Sequence, residues 1–151
     1  MKSDSRLSWV LHVMLHLADS NRPLTSEEIA TFLDTHPVVV RRVLGGLREL
    51  GFVAAAKGRG GGWTIACDLK KVTLRDVYEA VGMPPVLAMG HRTDNPRCLV
   101  EQAVNAALGD AFREAEALLL TRLGEVSLAD LSSDFTRRMA AHPRKRHAHA
   151  H

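Results

Sequence analysis

Residues 36–63 read HPVVVRRVLGGLRELGFVAAAKGRGGGW, and two kinds of local signal meet in them. The first half has a helical period. Pro37 suits a first helical residue, where its missing N–H goes unused, and Gly51 is a natural stop. Between them Val40, Val43, Leu44, Leu47 and Leu50 form an inward stripe. Val38, Val39, Arg41, Arg42, Gly45 and Gly46 face the other way. The second half sets four of the chain's eleven glycines beside Lys57 and Arg59 and closes on Trp63. FVAAA and WTIAC flank the glycines as short strand candidates, which predicts a β-hairpin over about 52–67 with a connection of about six residues.

A glycine loop beside cations has two readings, a phosphate cradle of a nucleotide enzyme or a hairpin tip. The cradle reading fails on its surroundings. The loop lacks the Gly-Lys-Ser/Thr ending of a P-loop, and it leads into a strand-like run rather than a helix, so no helix N-terminus waits for a phosphate.

Upstream, TSEEIATFL opens a short helix at Thr25, with Glu28 three residues on to complete a capping box. DTHP at 34–37 is a tight connector into the next helix. Before both, Leu7, Val10, Leu11, Met14, Leu15 and Ala18 have the spacing of an amphipathic helix over 6–18. Downstream, Thr73 caps a helix over about 74–81, and 82–96 reads as an irregular loop. A long amphipathic helix is expected over about 97–123, and VSLADLSSDF ends a short last helix near 135. Residues 136–151 are basic and histidine-rich, with His147, His149 and His151 in alternation, and are expected to be a disordered tail.

The expected fold class is therefore mainly α with a small β-wing. Residues 1–81 form a winged helix-turn-helix domain, with the helix-turn-helix at about 25–50. The loop 82–96 and a dimerisation segment 97–135 follow. At 151 residues the chain has room for one such domain plus an appendage. No apolar run approaches the roughly 18 residues needed to cross a bilayer. The start of the chain lacks a signal-peptide pattern, and two cysteines make no disulfide framework. A cytoplasmic protein without a membrane partner is expected.

Net charge is only +3, but it is unevenly spread. Residues 37–71 carry +5, residues 72–134 carry −5, and the last 17 carry +5. A basic segment around the glycines points to a polyanion. In a helix-turn-helix with a wing, the second helix of the motif is sized for the major groove of duplex DNA. The hairpin tip then meets phosphates or the minor groove. Glycines let backbone approach phosphates closely, and Arg59 at the tip suits a narrow minor groove.

Candidate DNA contacts follow. Arg41 and Arg42 offer bidentate contact to guanine or contact to phosphate. Val38 and Val39 could meet thymine methyls. His36 caps the helix or touches a phosphate. Thr25 and Ser26 begin a helix that could receive a phosphate, and Lys57, Arg59 and Gly60 form the wing tip. No nucleophile–base pair, paired carboxylates or metal-ligand motif stands at useful spacing, so enzymatic function is not expected.

The segments SWVLHVMLHLA, TSEEIA, HPVVVRRVLGGLRELGFV, KGRGGGW and TLRDVYEAVG resemble the Rrf2 family of bacterial winged-helix transcription regulators, over residues 3–135. The resemblance implies a homodimer on palindromic double-stranded DNA, with the helix 37–50 in the major groove and the wing in the minor groove. It implies that the long helix supplies the dimer contact, with Val104, Leu108, Ala111, Phe112, Ala115, Leu118 and Leu119 as candidates. The long apolar face, with Leu118, Leu119 and Leu120 pointing three ways, independently suggests a shared interface. A repressor is expected.

Well-known relatives hold an iron–sulfur cluster with three cysteines ahead of the long helix. Here the loop 82–97 has none, and Cys98 alone matches the last position. No cofactor is expected on that count. The alternative is a cluster or metal held by Cys98 with His12 and His91, where His12 matches a helix-1 ligand of some members. Cys98 at a helix start, beside Arg97, also suits an oxidant-sensing thiol. A small-molecule effector near Met83–Met89 is a further possibility.

Overall fold

The computed structural model describes residues 4–85 and 94–142. Six helices and one hairpin follow in the order α1 (Arg6–Asp19), α2 (Ser26–Phe32), α3 (Pro37–Glu49), β1 (Val53–Ala56), β2 (Gly62–Ile65), α4 (Leu74–Ala80), α5 (Leu99–Gly124) and α6 (Leu128–Ala141). The helical fold with a two-stranded wing is the one expected.

Local chemistry sets most boundaries. Thr25 and Glu28 form the capping box of α2, the Thr25 hydroxyl accepting from the Glu28 N–H at 3.2 Å and the Thr25 N–H donating to Glu28 Oε2 at 2.8 Å. Asp34, at φ 50°, turns the chain out of α2, and the Thr35 N–H reaches back to the Ala30 carbonyl at 3.0 Å. Pro37 then starts α3 and Gly51 follows its end.

The core gathers Val10, Val13, Met14 and Leu17 of α1 against Ile29, Val40, Leu44, Leu47, Val53, Trp63 and Val77. The buried face of α1 differs from the expected stripe: Val13 and Leu17 are buried, whereas Leu11 and Leu15 are only half-buried. The run VLHVMLHL is apolar on more than one face, so two stripes fit its period, and packing against β2, α4 and α6 selects one. Leu50 is a second difference. It caps α3 rather than continuing it and is 57% exposed.

The hairpin pairs Val53 with Ile65 and Ala56 with Gly62, leaving Lys57–Gly61 as the connection, one residue shorter than expected. A third segment joins it. Leu24 bridges to Trp63 through N–H···O=C bonds of 3.0 and 2.8 Å in both directions, so the wing is laced to the chain entering α2.

The C-terminal half is stitched on by backbone as well. Thr73 and Ser127, the N-caps of α4 and α6, pair across an isolated bridge, and each heads a capping box, with Asp76 and Asp130. Leu128 is thereby carried into the core, 1% exposed. Helix α6 runs to Ala141, so residues 136–141 are helical and not part of a disordered tail. Leu131 and Phe135 carry its half-buried face onward, and Asp134 pairs with Arg137 and with Arg138, the latter at 2.7 Å. Residues 143–151 lie outside the described residues.

Between these anchors α5 is almost bare. Of its 26 residues only Gly109 is buried.

Candidate nucleic-acid interface

Helix α3 presents its outer face to solvent as the stripe requires. Val38 is 55% exposed, Val39 is half-buried, and Arg41 and Arg42 are exposed. The two arginines differ in engagement. Arg41 donates to Glu27 on α2 at 2.9 Å, a pair open to solvent on both sides. Among the described residues Arg42 makes no ion pair or hydrogen bond. His36 resolves its two options toward capping, its Nδ1 accepting from the Val38 N–H at 3.3 Å. Its ring stays exposed.

The glycine cluster divides by role. A Cβ on Gly62 would lie 2.6 Å from the Leu24 carbonyl oxygen, and its φ is +145°. A Cβ on Gly61 would run into the Ala56 carbonyl. These two glycines are demanded by the protein's own backbone: the bridge to Leu24 and the closing of the hairpin leave no room for a side chain. Gly60 is exposed at the tip between them and Arg59, and Lys57 and Arg59 are exposed as well. The concentration of glycine is thus partly architectural, and the cationic tip is what remains for a ligand.

The start of α2 needs revision as a phosphate site. Ser26 is buried, and its hydroxyl accepts a 3.0 Å hydrogen bond from Trp63 Nε1. The Thr25 hydroxyl is used in the capping box. Two glutamates in the first turn, Glu27 and Glu28, already sit at the positive end of the helix. Arg22 at 2.6 Å, helped by the Thr25 N–H, pulls the Glu28 carboxyl down to about 2. The backbone N–H of Glu27 and then Arg41 hold the Glu27 carboxyl below its usual range. Both are anions at neutral pH and oppose a phosphate there. No sequence signal for Ser26 turning inward was local, since its partner is 37 residues away.

An apolar groove of about 560 Å³ borders the arginine face, lined in part by Trp9, Val39, Arg42, Val43, Leu50 and Val81. Sequence reading missed it because it joins the starts and ends of three helices.

On α5, Val104 (50% exposed), Leu108 (38%) and Leu118 (61%) are open to solvent, as are Ala111 and Ala115. Phe112 and Leu119 are half-buried. The exposure continues at the helix start with Leu99 and Val100. Cys98 is the half-buried N-cap of α5, and its side chain makes no capping hydrogen bond. Cys67 lies just past β2, half-buried, and burial pushes its thiol up, away from the thiolate form. His12 is drawn to His16, not to Cys98. His91, and Val86–Met89 of the effector reading, fall outside the described residues, whereas Met83 is described and exposed. No group of three or more His, Cys, Asp or Glu side chains placed to hold a metal ion occurs among the described residues, and no described helix is long and apolar enough to cross a membrane.

Comparison with known proteins gives a consistent picture. The model of the Rrf2 family, described as iron-dependent transcriptional regulators, matches residues 3–134. YwnA of Bacillus subtilis (strain 168), named as an HTH-type transcriptional regulator, is 30% identical over 128 residues, spanning 85% of this chain and 95% of that protein. Among solved structures, a transcriptional regulator from Lactobacillus plantarum is similar with a TM-score of 0.72 at 22% identity, over 91% of this chain and 93% of its own. IscR of T. potens is similar with a TM-score of 0.66 at 16% identity, over 89% and 88%. The family description speaks of iron, and the residues here do not fit a thiolate-held cluster: such centres use about four cysteine ligands, and this chain has two cysteines, one at the wing and one at α5.

Proposed function

This chain belongs to the Rrf2 family of DNA-binding transcriptional regulators, and on that premise we propose that it acts as a homodimeric, cluster-free repressor of palindromic operators in the cytoplasm. Helix α3 enters the major groove, and the wing tip meets the adjacent minor groove. The observation that carries this reading is the open surface where α3 gives way to the wing. Arg42 is exposed and unengaged on α3, and a short link, residues 50–52, joins that helix to the hairpin that exposes Lys57 and Arg59. Free cations on a helix and a glycine-backed tip suit base edges and phosphates together.

The dimer rests on α5. A 26-residue helix with one buried residue leaves its apolar groups in water unless another surface covers them. A second α5 offers the same exposed apolar residues in return, as a two-fold interface requires.

Binding measurements on operator variants test the placement. Arg42→Ala should lose about 1–3 kcal/mol of discrimination at one base position. Arg59→Ala should weaken all sites and lower the salt dependence by about one phosphate contact. Uniform loss from Arg42→Ala, with an unchanged salt slope in Arg59→Ala, would reverse the assignment.

We assign the effector response to Cys98. A hydroperoxide transfers one oxygen atom to the thiolate, giving a sulfenic acid and releasing hydroxide or alkoxide. Loss of operator occupancy under peroxide in the wild type, absent in Cys98→Ser, is the expected result; equal occupancy in both retires the thiol.

A further inference from the structure

We infer that His12 and His16 form a two-histidine site for a divalent transition-metal ion that favours square-planar or octahedral coordination, such as Cu²⁺ or Ni²⁺. The two residues stand four apart on α1, so their side chains share one helix face. Their Nε2 atoms are 2.9 Å apart. The 2.9 Å contact is one hydrogen bond between the two imidazoles, whose rings lie at 23° with centroids 4.8 Å apart, and a bound ion would take the place of its proton.

The separation selects the metal. With metal–nitrogen bonds of about 2.0–2.1 Å, nitrogens 2.9 Å apart subtend about 90° at the ion. That is the cis angle of square-planar and octahedral sites. A tetrahedral ion would need the nitrogens about 3.4 Å apart, and the rings would have to spread.

The pair is also held in place. His16 is half-buried, and its ring packs on Phe32 of α2, with centroids 4.4 Å apart, and near Phe135 of α6 at 6.4 Å. Burial and then the charge of His12 push the His16 pKa down, keeping it neutral as a ligand must be. Asp19, one turn further along α1, adds negative charge that His16 feels. Since no third protein donor joins the pair among the described residues, the other positions belong to water. This donor set is distinct from a thiolate cluster and independent of the proposed DNA contacts.

Calorimetric titration of the full chain with Ni²⁺ tests the site, read as a difference because His147, His149 and His151 also offer imidazoles. Wild type should take up one more equivalent per chain than His12→Ala. His12 is exposed, so the metal-free variant should melt as the wild type does. At a hundred times the dissociation constant the wild type should gain ~5–10 °C in melting temperature, and His12→Ala and His12→Gln should not. Equal stoichiometry and equal thermal shifts in wild type and His12→Ala would overturn the site. A larger shift from Zn²⁺ than from Ni²⁺ would overturn the cis geometry.

Discussion

Helices α3 and α5 have comparable shares of apolar residues and opposite fates. In α3, Val40, Leu44 and Leu47 are buried within the chain, and the polar face with Arg41 and Arg42 stays in solvent. In α5 the apolar residues themselves stay outside: Leu99, Val100, Val104 and Leu118 are each at least half exposed. The contrast separates a region whose apolar residues are covered within the chain from one whose apolar residues are not. Part of the cause is legible in the spacing. The inward residues of α3 keep to one stripe, whereas the apolar residues of α5 spread around the helix, so its contact with α4 leaves most of them open.

The sharpest way to break that comparison is to truncate one leucine in each helix. Leu44→Ala should lower the unfolding free energy by about 2–5 kcal/mol at any protein concentration, because it empties a filled core site. Leu118→Ala should leave a dilute sample's stability within about 0.5 kcal/mol of wild type, yet weaken self-association in sedimentation experiments. If the two variants unfold alike in dilute solution, α5 is covered within its own chain and the contrast disappears.

A smaller effect separates the glycines. Gly62→Ala should destabilise by about 1–3 kcal/mol through backbone strain and the collision with Leu24. Gly60→Ala carries strain at φ +75° but meets no atom within 4 Å, so it should be the milder change in chemical denaturation.

The reading surface can be sharpened through Glu27. Glu27→Gln removes the partner of Arg41 and a negative charge beside that arginine. The pair is open to solvent and weak, so removing the charge should tighten DNA binding a few-fold, and weaker binding would show that the pair orients Arg41 usefully.

The smallest effect concerns pH. The folded-state pKa of His16 lies below its ordinary 6.5, chiefly through burial. Below 6.5 the unfolded chain therefore binds the proton more readily, and the stability present above that value is lost as pH falls toward the folded pKa. Thermal melts from pH 7.5 to 5 should show a shallower decline in His16→Phe, which keeps a ring on Phe32, than in wild type.

The parts legible in the sequence were those written by neighbouring residues: the capping box at Thr25, the cap at Thr73, Pro37 at a helix start, and the stop at Gly51. Pairings across the chain were not. Nothing near Leu24 announces a strand bridge to Trp63, and nothing near Ser26 announces an indole 37 residues away. The length of α6 was hidden because basic residues at 137–138 read as tail, whereas Asp134 draws both arginines onto the helix. The exposed cations of α3 and the wing were legible, since solvent-facing positions of a periodic helix and a hairpin tip need no distant partner.

The bridge between Thr73 and Ser127 has a consequence for how an operator is measured. It fastens the return from α5 to the head of α4, and Leu128 nails it into the core. Helix α5, about 39 Å long by its rise per residue, is thus a strut whose C-terminal end is tied back to the head of α4 and the core. In a two-fold pair such struts would act as a caliper, and the gap between half-sites would be set by helix length instead of by a supple linker.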